Sequence, residues 1–69
     1  MSRRTLRDDK YHVIGYIDVD ARTGRQTLLD KYHHKLGYYH PDDDETRDEY
    51  YRRVGSGNLL TILLADRRR

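Results

Sequence analysis

Three stretches of this chain share one frame. TLRDDKYHVIGYI, TLLDKYHHKLGYY and ETRDEYYRRVGSG each place an Asp seven residues before a Gly, with an aliphatic residue immediately ahead of that Gly. The aspartates are Asp8, Asp30 and Asp48, and the glycines are Gly15, Gly37 and Gly55. A fourth Asp, Asp66, continues the series, so the four stand 22, 18 and 18 residues apart. The longer first interval holds four extra residues, which Ala21–Gly24 accommodate as a lengthened loop. Offsets matched in three places mean that the chain repeats a supersecondary unit, and repetition governs every other reading.

Each unit reads as two short strands joined by a tight turn. Alternation places Ile14 with Tyr16, and Leu36 with Tyr38, on common faces. An Asp opening a turn can accept nearby backbone N–H groups through its carboxylate. PDDD (41–44) and RTGR (22–25) read as the intervening turns. A Gly within a strand weakens it, so its recurrence implies close approach of another backbone or a sharp bend. Strands are predicted near 12–17, 26–29, 34–39, 45–47 and 52–56, with an edge strand near 4–7. The fold class that follows is all-β. It is a small pseudo-symmetric ring or barrel of β-hairpin repeats, with a unit of about 18 residues, closed by the chain ends.

The segment GNLLTILLAD carries two readings. Asn58 can cap a helix bearing Leu59, Ile62 and Leu63 on one side, or the repeat frame can continue as a strand running to Asp66. The frame favours the strand. Size makes this segment matter. Residues 1–69 form a single domain, in which only roughly 60% of the unfolded surface becomes buried. Charged residues make up 38% of the chain and all seven aromatics are Tyr. The core must therefore come from Val13, Ile14, Ile17, Leu28, Leu29, Leu36, Val54 and the apolar cluster from Leu59 to Ala65. Without any Cys, no disulfide reinforces it.

LGYYHPDDDETRDEYYRRVGSGNLLTILL resembles the small bacterial proteins called four-fold β-flower proteins. The likeness runs over residues 8–64, with TRD (46–48) and VGSGN (54–58) as its best motifs. Tyr11, His33 and Tyr51 stand where that pattern favours Gly. The resemblance implies a fold and no activity. A weaker similarity links IGYIDVDARTGR to PRC-barrel domains, and it too implies a small β-barrel used as an assembly module.

Chemistry is sparse. His12, His34 and Arg52 share one repeat position, and an Arg there opposes a cation. DVDARTG begins like a calcium loop, yet Arg22 and Thr23 occupy the places where acid and Gly are required. Ser56 in GSG is not a nucleophile elbow. No metal, cofactor or catalytic activity is expected. The expected function is a non-catalytic interaction or accessory subunit, assembling with itself or with a larger protein complex. Its partner-binding residues would be Tyr38, Tyr39, Tyr50, Tyr51, Leu59, Leu60, Leu63, Arg67 and Arg68, since Tyr and Arg are enriched at interface hot spots. The alternative is a nucleic-acid-binding module gripping phosphate through the basic termini, Arg3, Arg4, Arg7 and Arg67–Arg69, and stacking bases on exposed Tyr residues. The same arginines suit anionic lipid headgroups. Lacking a signal peptide or an apolar run of ~20 residues, the chain is expected to be cytoplasmic.

Overall fold

The computed structural model describes residues 2–67. Six strands follow one another in sequence: β1 (Ser2–Arg7), β2 (Val13–Val19), β3 (Gln26–Asp30), β4 (Lys35–His40), β5 (Glu45–Asp48) and β6 (Arg53–Ser56). They form one antiparallel sheet in the order β1-β2-β3-β4-β5-β6. A helix, α1 (Leu60–Arg67), follows. The all-β architecture and the strand positions match the repeat frame. The closed ring does not form: β1 and β6 are the two edges of an open sheet.

The turns explain the aspartates. In the β1–β2, β3–β4 and β5–β6 hairpins, Oδ1 of the opening Asp accepts two backbone N–H groups. These come from Lys10 and His12, from Tyr32 and His34, and from Tyr50 and Arg52, all at 2.8–2.9 Å. The third loop residue of each hairpin has positive φ: 65° at Tyr11, 69° at His33 and 66° at Tyr51. This is the three-residue hairpin loop that ends in a left-handed residue, normally Gly. Non-Gly residues in that conformation cost ~1–2 kcal/mol. Stacking offsets part of the strain at two of them, because His33 lies 4.8 Å from the Tyr16 ring and Tyr51 lies 4.7 Å from the Tyr38 ring.

The aliphatic–Gly pair has its own cause. Register slips between Leu6 and Arg7, Leu28 and Leu29, and Thr46 and Arg47. Each slip leaves Ile14, Leu36 or Val54 as the extra residue of a β-bulge. The bulge breaks simple alternation and corrects the face assignment made from sequence. Ile14 and Leu36 pack on the core, whereas Tyr16 and Tyr38 stack with the turn rings of the opposite face. The glycines permit close approach. A Cβ on Gly15 would stand 2.6 Å from the Leu29 carbonyl oxygen, and one on Gly37 would stand 2.7 Å from that of Arg47.

An open sheet needs a second layer to cover its apolar face. The leucine segment supplies it as a helix, correcting the favoured strand reading. Leu60, Leu63 and Leu64 repeat at helical spacing and are buried against Ile17, Leu28 and Leu36. Leu64 lies against Gly15, Leu63 against Gly37 and Leu59 against Gly55, so the glycines of three alternate strands floor the helix. Asn58 Oδ1 accepts from Leu60 N at 3.2 Å. Thr46, fully buried, donates to Gly57 O at 2.7 Å and accepts from Leu59 N at 2.9 Å, tying β5 to the helix entry. Val54, expected in the core, is 43% exposed because the helix does not reach across it.

Acid should weaken this turn chemistry. Partial burial raises the Asp30 and Asp48 carboxyls, but backbone N–H donors, and His34 or Arg52 alongside, hold both below the ordinary carboxylate range. A depressed folded pKa stabilises above the unfolded value, about 3.9 for Asp, and that stability is lost as pH falls through the folded value. The urea midpoint is therefore expected to stay level from neutral pH to about 5 and to fall below about 4. Replacing both residues by Asn, which keeps the amide acceptor, should flatten that fall. An unchanged acid limb would refute the assignment.

Candidate functional site

The helix occupies one face of the sheet and leaves the other open. Pairing places Tyr16 opposite Leu29, Asp18 opposite Thr27, and Tyr38 opposite both Thr27 on β3 and Arg47 on β5. These alternate with the core-facing Ile17 and Leu28, so they project from the helix-free side. Arg3 of β1 joins them. Its guanidinium lies 5.2 Å from the Tyr16 ring centroid, within cation–π range. It also donates to Asp18 through Nε at 2.5 Å and NH2 at 2.9 Å. The hydrogen bond that Arg3 donates to Asp18 raises the Arg3 pKa, and the reciprocal effect lowers that of Asp18.

Two ring stacks stand on this face. His33 covers Tyr16 at an interplanar angle of 12°, and Tyr51 covers Tyr38 at 10°. His40 tilts against Tyr51 at 5.9 Å. A groove of about 250 Å³ runs past Asp18, Asp20, Arg25, Thr27, Leu29 and Lys35. Farther across, Arg47 donates to Glu45 at 2.9 Å, and Arg53 Nε lies 3.5 Å from the same carboxylate. The face therefore carries rings and cations held in place by neighbours.

The proposed partner-binding residues are not gathered in one place. Tyr38 and Tyr51 meet here as a stack. Tyr39 packs beside the core on the helix side, and its hydroxyl donates to Asp44 at 2.8 Å, which raises its pKa. Tyr50 is exposed at its turn with the Arg52 guanidinium 5.2 Å from the ring. Leu60 and Leu63 are corrected from surface to core, and Leu59 is half-buried. Of the apolar segment, Ile62 alone among the large side chains stays well exposed, at 62%. The side chain of Arg67 and the whole of Arg68 lie outside the described residues.

Tyr16 and His33 were missed from sequence, whereas Arg3 was named only as one of the basic-terminus arginines. Tyr16 shares the repeat position of Tyr38, which marks it; nothing in the spacing announces that turn residues fold back over strand rings. The His12, His34 and Arg52 series has a local use. Each lies beside Oδ2 of its own turn Asp, at 3.6, 3.2 and 3.1 Å. Among the described residues no group of three His, Asp or Glu side chains is placed to hold a metal ion. A larger groove, about 470 Å³, opens at the turn end above Ile14, Leu36 and Leu64, but its Asp30 carboxylate is engaged by its own turn. No described helix is long and apolar enough to cross a membrane. Comparison with protein-family profiles, curated proteins and solved structures gives no match.

Proposed function

We infer that this protein is a non-catalytic interaction module and that its helix-free face is the contact surface. The observation that carries this reading is the pair of ring stacks flanked by anchored arginines. Rigid aromatic groups add contact area at low entropic cost, and Tyr and Arg dominate interface hot spots. A protein partner fits better than a polyanion, because Asp18 and Glu45 already neutralise Arg3 and Arg47. The open sheet is part of a ring of repeats that association completes, in keeping with the resemblance to four-fold β-flower proteins.

The test is quantitative capture from cells with the intact chain and two variants. Tyr38→Ala/Tyr51→Ala should weaken recovery of a stoichiometric protein by at least about 30-fold, as expected for a hot spot worth ~2 kcal/mol. Ile62→Ala, on the outer side of α1, should leave it unchanged. Equal recovery with all three would overturn the assignment. Nucleic acid is the second reading, favoured by rings that can stack bases on a chain with basic ends. It requires that deleting Arg67–Arg69 weaken binding and flatten its salt dependence.

A further inference from the structure

We propose that the β6 edge of one copy pairs antiparallel with the β1 edge of a second copy, in the register that the repeat already uses between β2 and β3 and between β4 and β5. This rests on the reading that the protein works in association, but it concerns the sheet edges, not the helix-free face. In the two internal junctions Gly15 lies opposite Asp30 and Gly37 opposite Asp48. The same frame sets Gly55 opposite Asp8 of the second copy, and Ser56 opposite its Arg7.

Three observations at the edges support this junction. Gly15 and Gly37 are glycines because a carbonyl oxygen of the next strand would meet their Cβ, at 2.6 and 2.7 Å. Gly55 keeps the residue without that neighbour, since only the flexible end of Leu59 approaches it. The junction supplies the Arg7 carbonyl of the second copy in the equivalent place. Burial falls off at the same edges: Val54 is 43% exposed where its repeat counterpart Leu36 is 8%, and Leu6 is half-buried where Leu28 is fully buried.

The third observation is Tyr11. It holds the left-handed conformation at φ 65° and is 80% exposed, whereas its counterparts His33 and Tyr51 fold over Tyr16 and Tyr38 of the preceding strand. Among the described residues β1 is an edge strand, with β2 as its one neighbour in the sheet. In the junction Tyr11 of the second copy covers Ser56, the small residue at the Tyr16 and Tyr38 position. The contact joins different edges, so it repeats head to tail and closes a ring or extends a filament.

The chain has no Cys, which makes cross-linking a clean test. Full-length Ser56→Cys and Arg7→Cys proteins are mixed and oxidised mildly. The register brings their Cα atoms within roughly 6 Å, a distance a disulfide spans. The mixed disulfide should form at least about tenfold faster than between Ser56→Cys and Ser2→Cys, whose thiol lies ~16 Å farther along β1. Equal rates overturn the proposal. In sedimentation, Gly55→Ala should weaken self-association by about tenfold or more, while its urea midpoint and its capture through the helix-free face stay as in the parent. Undiminished association of that variant, or a single-copy species in the parent up to about 1 mM, contradicts the junction. A parent that stays single-copy yet captures a partner through Tyr38 and Tyr51 defeats the junction alone.

Discussion

Gly37→Ala is expected to remove a large part of the domain's stability. In an ordinary strand this change would help, because Gly there costs roughly 0.5–1 kcal/mol relative to Ala. Here the added methyl meets the Arg47 carbonyl oxygen at 2.7 Å and also overlaps the Leu63 side chain. The carbonyl belongs to the next strand, and Leu63 is packed between helix and sheet, so neither can retreat without disturbing the sheet or lifting α1. Overpacking a core costs typically 1–3 kcal/mol and sometimes more. A domain of this length has a total stability of roughly 3–10 kcal/mol. Urea denaturation followed by Tyr fluorescence measures the change. A midpoint equal to or above that of the parent would show that the approach seen at Gly37 does not constrain the fold.

Leu60→Ala should produce the other large loss, roughly 2–5 kcal/mol. Leu60 is fully buried, and it opens a helix of only eight residues. Isolated helices that short do not persist in water, so α1 exists because its leucines meet the sheet. Removing Leu60 leaves a cavity in the core cluster beside Thr46, whose hydroxyl holds the helix entry. The loss should appear as a lower denaturation midpoint and as faster amide exchange throughout residues 60–67. A cost below about 1 kcal/mol would mean that the site collapses freely around the deletion, contrary to close packing.

The two substitutions also mark where the sequence was legible. The Asp-to-Gly offset located all six strands and all three repeated turns, because bulge and turn impose residue types that recur visibly. Of the two reasons it gave for the glycines, close backbone approach or a sharp bend, the first is seen at Gly15 and Gly37. The end of the chain was harder. TILL has β-branched and leucine residues that serve either element, and the frame ending at Asp66 argued for a strand. What decides for a helix is tertiary: an unclosed sheet has an apolar face to cover, and Leu60, Leu63 and Leu64 at helical spacing cover it. One local mark was present. Thr46 stands in the frame where Leu6 and Leu28 stand, and it is there that a hydroxyl is needed to receive the chain leaving the sheet.

The candidate site was legible only in part. Tyr38 and Tyr51 were named as surface residues, and they do meet on one. Simple alternation would have put Tyr16 on the same side as Ile14; the extra bulge residue reverses that parity, so the helix-free face was hidden from sequence. The leucines chosen as contact residues failed for a related reason. Their excess over what a closed ring could bury is taken up by the second layer that an open sheet requires.

Leucines hold the fold from within, and we propose that the Tyr and Arg face does the contacting. The most direct test is amide hydrogen exchange on the intact protein, alone and with its captured partner. Protection should rise in β2 and β4 and in the loops around His33 and Tyr51, while α1 exchanges as before. Protection confined to residues 60–67, with those loops unchanged, would contradict it.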